Sequence, residues 1–244
     1  MANDRSIQAV LFDVGGTLLV VKPSVGAVYA ETAAAHGFEV KPEEIQRRFK
    51  TAWKQSLERS QARNYLCSDE ILRQEWFEIV RCTFEEVVPA PCIHSLFEDL
   101  YERFASPGAW SLAPWARSSL AYLKGRGLRL GILSNWDSRL PRMLQDLNIH
   151  DAFDFHVISH QVGVEKPHRE IFRQALKKAG AEPVCTLYVA DSYQADIEPA
   201  RELGLKTFWL AAQTERDASG YRGLGAERLP DNPINAWEQV LLAT

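Results

Sequence analysis

An unbroken apolar run, Ala9-Val10-Leu11-Phe12, ends on a carboxylate, Asp13, with two glycines, Gly15 and Gly16, close behind it. A short continuous apolar run bounded by turn residues reads as a strand buried on both faces, the environment of a central strand in a parallel sheet. The strand is predicted over about 7–14. A carboxylate at the C-terminal end of such a strand stands where open α/β sheets bind their ligands. There it can act as a nucleophile. This one feature demands further parallel strands beside it and helices over both faces.

The rest of the chain divides into two kinds of sequence. From the first strand to about 105 the pattern is helical. Pro42-Glu43-Glu44 opens a helix with proline in the first turn and acids at its positive end, and Ile45, Phe49, Ala52, Trp53 and Leu57 recur at helical spacing. Ser68-Asp69-Glu70 opens another helix carrying Ile71, Leu72, Trp76, Ile79 and Val80, and a third spans about 91–105 with Leu96, Leu100 and Phe104. About four helices and no strand are expected here, with hinges near Leu18–Lys22 and Pro107–Trp110.

After Pro107-Gly108 the pattern alternates. Pro114 is predicted to start a helix that ends near Gly125 or Gly127, followed by a strand over 128–133. A helix over about 139–147, a strand over 155–159 and a helix over 168–179 come next. A strand over 186–190, a helix over 194–203, a strand over 206–210 and a closing helix over about 235–242 complete the series. Strands alternating with helices mean a parallel sheet covered on both faces. The expected class is therefore α/β: a Rossmann-like core from 1–18 and 108–244, with an inserted all-α cap over 19–107.

The chain has 244 residues, enough for such a core plus a smaller cap, and 46% are hydrophobic and 25% charged, ordinary for a globular protein. A formal net charge of −4 argues against nucleic acid as a partner, which needs a basic footprint. No apolar run approaches the ~20 residues of a membrane span, so no membrane association is expected. Cys67, Cys82, Cys92 and Cys185 form no metal-binding or redox pair, and Met1-Ala2-Asn3-Asp4-Arg5-Ser6 does not open a signal peptide. A cytoplasmic protein with reduced thiols is expected.

Chemistry-bearing residues recur at strand ends. Ser134-Asn135 follows the second strand of the core, Lys166-Pro167 precedes a helix, and Asp191-Ser192 ends a strand with Asp196 shortly after. With Asp13 and Thr17, these residues resemble the four motifs of the haloacid dehalogenase (HAD) superfamily in order and spacing. The stretches Tyr29-Ala30, Ala35-His36-Gly37-Phe38-Glu39-Val40 and Leu133-Ser134-Asn135-Trp136-Asp137 with Arg139-Leu140 are similar to those of its domain-containing 3 subfamily.

The resemblance implies a HAD-like core and phosphoryl transfer through Asp13 on a small phosphorylated metabolite. It also implies Mg²⁺ held by Asp13, Asp191 and the backbone carbonyl of Gly15. Such a reaction needs positioned groups and neutralised charge on the transferring oxygens. Lys166 would offset charge, and Ser134 and Asn135 would face the phosphate. The Thr17 hydroxyl and the backbone N–H groups after Asp13, Gly16 included, would complete the cradle. Asp196 would orient water or Lys166. Position 15, where phosphatases of the superfamily carry a second Asp as general acid and base, is glycine here. General acid–base catalysis is typically worth about 10²–10⁴-fold, so a slow or chemically altered enzyme is expected.

Two further readings stand beside this one. The first is a catalytically impaired relative that binds phosphate-containing ligands or a partner. The second is a 2-haloacid dehalogenase, which needs no metal and does not keep the acid that Asp191 represents; Arg47 or Arg48 would then receive halide. Glu31 and His36 lie in the first helix of the cap, and the sequence places neither near the site; His36 beside Gly37 reads as a helix terminus.

Overall fold

The structure, a computed structural model, describes residues 6–210 together with 237, 238 and 241. In chain order, β1 (Ala9–Phe12) and β2 (Leu19–Val21) precede four helices, α1 (Val25–Ala35), α2 (Pro42–Ala62), α3 (Asp69–Phe84) and α4 (Ala90–Arg103). Then come β3 (Trp110–Leu112), α5 (Ala116–Gly125), β4 (Arg129–Ser134), α6 (Leu140–Asp146), β5 (Phe155–Ile158), α7 (Ser159–Val162) and α8 (Arg169–Ala179). β6 (Thr186–Ala190), α9 (Glu198–Glu202) and β7 (Lys206–Trp209) follow.

The main sheet has five strands in the order β5-β4-β1-β6-β7, all parallel. β1 is wholly buried at its centre, as its apolar run requires. Its alternate residues feed two cores: Val10 and Phe12 pack with α5, α6 and Trp237, while Leu11 packs with α8 and α9. Burying each such large apolar side chain stabilises the fold by roughly 1.5–3 kcal/mol. This is the expected α/β class, a Rossmann-like parallel sheet with helices on both faces.

The helices α1–α4 bury a third cluster around Tyr29, Phe84, Leu96 and Phe97. Local signals explain their ends. Ser24 and Ser68 accept hydrogen bonds from Ala27 N and Ile71 N as helix caps, Pro42 stands in the first turn of α2, and His36 is the C-terminal cap of α1.

Several expectations need correction. No strand was expected between 19 and 107, yet Leu19–Val21 pairs antiparallel with Trp110–Leu112 in a short ribbon where the hinges were placed. Three-residue strands carry no readable period, and this pairing is long-range. The helix placed over 194–203 begins as a wider turn, Tyr193–Ile197, and becomes α-helical at Glu198, where Pro199 fits the first turn. The helix after Pro114 starts at Ala116. The closing helix over 235–242 lies largely outside the described residues; 237, 238 and 241 are helical.

The helical segment is also stitched to the loop before α8. Leu66 and Val164 form an antiparallel bridge, Cys67 N donates to Gly163 O (3.0 Å), and Glu165 N donates to Tyr65 O (2.9 Å). The Glu165 carboxylate accepts from Arg63 (3.1 Å) and from the Ser60 hydroxyl. Arg139 bonds the Asp137 carboxylate, donates to Tyr101 O (2.7 Å) and lies 3.5 Å over the Tyr101 ring.

Candidate active site

Strand order assembles the site. β1 lies between β4 and β6, so Asp13, Ser134 and Asp191, which end or follow these strands, come side by side at the C-terminal edge of the sheet. Asp13 is buried, and its N–H donates to Val189 O (3.0 Å). Asp13 Oδ1 accepts from Lys166 Nζ (2.6 Å) and from the Ser134 hydroxyl (3.2 Å). Lys166 Nζ also lies 2.6 Å from Asp196 Oδ1, and donates to Tyr188 Oη (3.0 Å) and Leu133 O (3.3 Å). Tyr188 Oη donates to Asp196 Oδ1 (2.5 Å).

Electrostatics follow from burial. Burial by itself would lower the Lys166 pKa, but the carboxylates of Asp13 and Asp196 raise it above its ordinary value, so the ammonium stays charged. Burial, then the charge of Asp196, pushes the Tyr188 hydroxyl well up, so it remains a neutral donor. Burial also raises Asp196, against the pull of Lys166. Asp191 is pushed up to about 7, by burial first and then by the charges of Asp13 and Asp196, with Lys166 opposing.

Asp13, Asp191 and Asp196 offer carboxylate oxygens within 4.8 Å of one another. Lys166, which pairs with Asp13 and Asp196, brings one positive charge against three carboxylates. An all-oxygen donor set with excess negative charge fits a hard divalent cation.

The other residues expected at the site fall into distinct places. The Thr17 hydroxyl donates to Asp191 Oδ1 (3.4 Å). The Asn135 side chain is engaged by the main chain of Lys166, donating to its O (3.0 Å) and accepting from its N (2.7 Å), so it holds the lysine loop rather than facing outward. The N–H groups of Gly16 and Thr17 donate within their own turn, to Leu19 O (2.8 Å) and Val14 O (3.3 Å). The expected cradle of N–H groups is thus narrowed.

The two glycines differ. Gly16 has φ +81°, and a Cβ there would overlap the Asp191 carboxylate, so both backbone and space demand glycine. Gly15 does not adopt the left-handed conformation, and a Cβ would meet only the Trp136 ring, at an ordinary 3.6 Å. Arg48 and His36 engage other groups, and the Arg47 carbonyl accepts from the Thr51 hydroxyl (3.4 Å). Arg48 bonds Glu44 and Glu85 O, His36 bonds Asp99, and Glu31 pairs with Arg103.

Sequence reasoning missed Tyr188 and Trp136. A tyrosine inside a fully buried strand must find a partner for its hydroxyl, and that signal was available. Trp136 had no such signal, because its contact with Gly15 is tertiary.

The sequence matches the family profile "Hydrolase: haloacid dehalogenase-like hydrolase" over residues 7–204. The chain belongs to the haloacid dehalogenase-like hydrolase family. Among its relatives, the human haloacid dehalogenase-like hydrolase domain-containing protein 3 is 35% identical over 223 residues, 89% of this chain and 87% of that protein. The glyceraldehyde 3-phosphate phosphatase of Methanocaldococcus jannaschii is 31% identical over 134 residues, 52% of this chain and 54% of that protein. The structure of L-2-haloacid dehalogenase from Xanthobacter autotrophicus matches with a TM-score of 0.63 at 22% identity, covering 87% of this chain and 80% of that one. Members with the HAD-like fold thus include both phosphatase and dehalogenase, and the likeness to the latter shows the fold alone.

Proposed function

We propose that this HAD-like hydrolase is a Mg²⁺-dependent phosphatase acting through an aspartyl-phosphate on a small phosphorylated metabolite, without the usual acid at position 15. The observation that carries the reading is the Asp13 carboxylate, held by Ser134 and Lys166 beside the carboxylates of Asp191 and Asp196. The kinship with a phosphatase over half of the chain supports it.

Asp13 and Asp191, with the Gly15 carbonyl, would hold Mg²⁺, which when bound would neutralise charge on the phosphoryl oxygens. Lys166 and the Ser134 hydroxyl stabilise the same oxygens from the other side, so Asp13 can attack phosphorus in line. Asp13 and Asp196 keep Lys166 charged, Tyr188 helps hold its ammonium in place, and Asn135 fixes its loop. With glycine at 15, the leaving oxygen receives no proton from that position. Turnover should therefore favour substrates whose leaving group is stable as an anion.

The metal-free dehalogenase reading is disfavoured by Asp191, a carboxylate beside Asp13 that such chemistry does not keep. The binding-protein reading is favoured by one observation, the Trp136 ring standing where an acid would reach.

The test is steady-state and burst-phase hydrolysis of an aryl phosphate with Mg²⁺ for the wild type, Gly15→Asp and Asp13→Asn. Metal-dependent turnover that is lost in Asp13→Asn and raised in Gly15→Asp is expected. No turnover in the wild type and none in Gly15→Asp would instead make the protein a binder or assign it another reaction.

A further inference from the structure

The side of the site around Gly15 is aromatic. The acid normally at this position serves the leaving oxygen, so whatever lines Gly15 borders the leaving group. Here that is the half-buried Trp136, whose ring carbon Cζ3 lies 3.6 Å from where a Cβ of residue 15 would stand.

Trp136 is backed by more rings. Trp110 packs on it at 5.2 Å between centroids, Phe104 packs on Trp110 at 5.7 Å, and Trp76 stacks on Phe104 at 6.4 Å. Trp110 is fixed in turn by its indole N–H, which donates to Phe104 O (3.1 Å). The backbone around Trp136 is pinned as well: its N–H donates to the Ser159 hydroxyl (3.1 Å), and its carbonyl accepts from that hydroxyl (3.0 Å) and from His160 N (3.3 Å). The result is a held indole ring beside the nucleophile loop, on the side that lacks an acid.

We propose that Trp136, backed by Trp110, is a stacking platform for a flat aromatic leaving group, so that the preferred substrates are aryl phosphate monoesters. This rests on the phosphatase reading above and names its substrate class. The chemistry balances without residue 15. An Asp13 oxygen forms a bond to phosphorus as the bond from phosphorus to the aryl oxygen breaks, and the electron pair leaves on that oxygen as a phenolate. A phenol has a pKa of ~10, like tyrosine, against ~15.7 for water, so the anion departs without a proton donor. It then takes a proton from solvent. Water next cleaves the Asp13 acyl phosphate, releasing inorganic phosphate, restoring the carboxylate and returning that proton. A flat ring stacked on an indole is held about three- to tenfold more tightly than its apolar area alone provides.

The experiment is calorimetric titration, with Mg²⁺ present, of three phosphonates that cannot be hydrolysed: phenyl-, cyclohexyl- and methylphosphonate. Phenylphosphonate is expected to bind about tenfold more tightly than methylphosphonate and about threefold more tightly than cyclohexylphosphonate. In Trp136→Leu, which keeps apolar bulk but removes the flat face, the phenyl-to-cyclohexyl ratio should fall to about one. In Trp136→Phe it should persist. A ratio near one in the wild type, or a ratio unchanged in Trp136→Leu, overturns the platform and leaves the phosphatase reading standing. Failure of all three phosphonates to bind overturns both.

Discussion

At the ends of β1, β4 and β6, Asp13, Lys166, Asp196 and Tyr188 hold one another through bonds of 2.5–3.0 Å in a buried network. A few residues away, around Gly15, the nearest neighbour is an indole ring with no charge to offer. The first region is built to stabilise charge and the second to pack against a surface. On the phosphatase reading proposed above, such a site would keep its electrostatic part while lacking a proton donor at position 15, because the two lie on different walls. The adjacent glycines make the same point. Gly16 is required by its backbone and by Asp191, whereas Gly15 has room for a side chain, so the fold does not demand glycine at 15.

The sharpest way to break this contrast is to remove the charged wall. Asp13→Asn should abolish phosphate release by at least ~10³-fold, as loss of a nucleophile does elsewhere. Residual turnover above that in steady-state assays would show that the network is not the reaction centre. Next in size is the opposite wall. Gly15→Asp, which the backbone accepts, should raise turnover of an alkyl phosphate by about 10²-fold, the lower end of what a general acid supplies. An unchanged rate would mean that the leaving group does not lie on this side.

The Asp191 carboxyl gives a pH test of the charged wall. Its pKa in the cation-free fold is about 7, above its ordinary value, so the proton occupies it below about 7 and competes with a cation. Mg²⁺ affinity should fall as pH drops through 7, by up to about tenfold per pH unit. By the same linkage, the raised carboxyl favours the cation-free fold at low pH, and that advantage is lost as pH rises from about 4 to 7. Thermal stabilisation by Mg²⁺ should therefore be larger at pH 8 than at pH 5.5. Equal shifts at the two values would remove Asp191 from the metal site.

The smallest expected effect comes from the residue that joins the network from beneath. Tyr188→Phe deletes the hydroxyl between Lys166 and Asp196 and leaves buried charge less well satisfied. A loss of about 1–3 kcal/mol in urea unfolding is expected, with turnover reduced rather than abolished. No change in either would make Tyr188 a packing residue only.

The parallel core was legible because its strands are short, largely apolar and ended by turns, and α6, α8 and α9 carry a cap or a first-turn proline. Asp13, Ser134 and Asp191 could be picked out because a polar residue at the end of an apolar run stands out locally, and Lys166 and Asp196 through the resemblance to the HAD motifs. The ribbon of Leu19–Val21 with Trp110–Leu112 could not, since neither half has a period of its own and they meet only across the helical segment. Asn135 was placed toward the phosphate from its neighbour Ser134, and side-chain direction after a strand end is set by the loop it meets, here that of Lys166.

By itself, then, the sequence determined the parallel strands of the core and most of the helices, and that carboxylates would end the central strands, because backbone periodicity and turn chemistry act over a few residues. Only the tertiary structure decided that Tyr188 bridges Lys166 to Asp196, that Asn135 grips a loop, and that Trp136 stands against Gly15. Those contacts join side chains from separate strands and loops. Their distances follow from strand order, sheet register and packing, which no local spacing along the chain records.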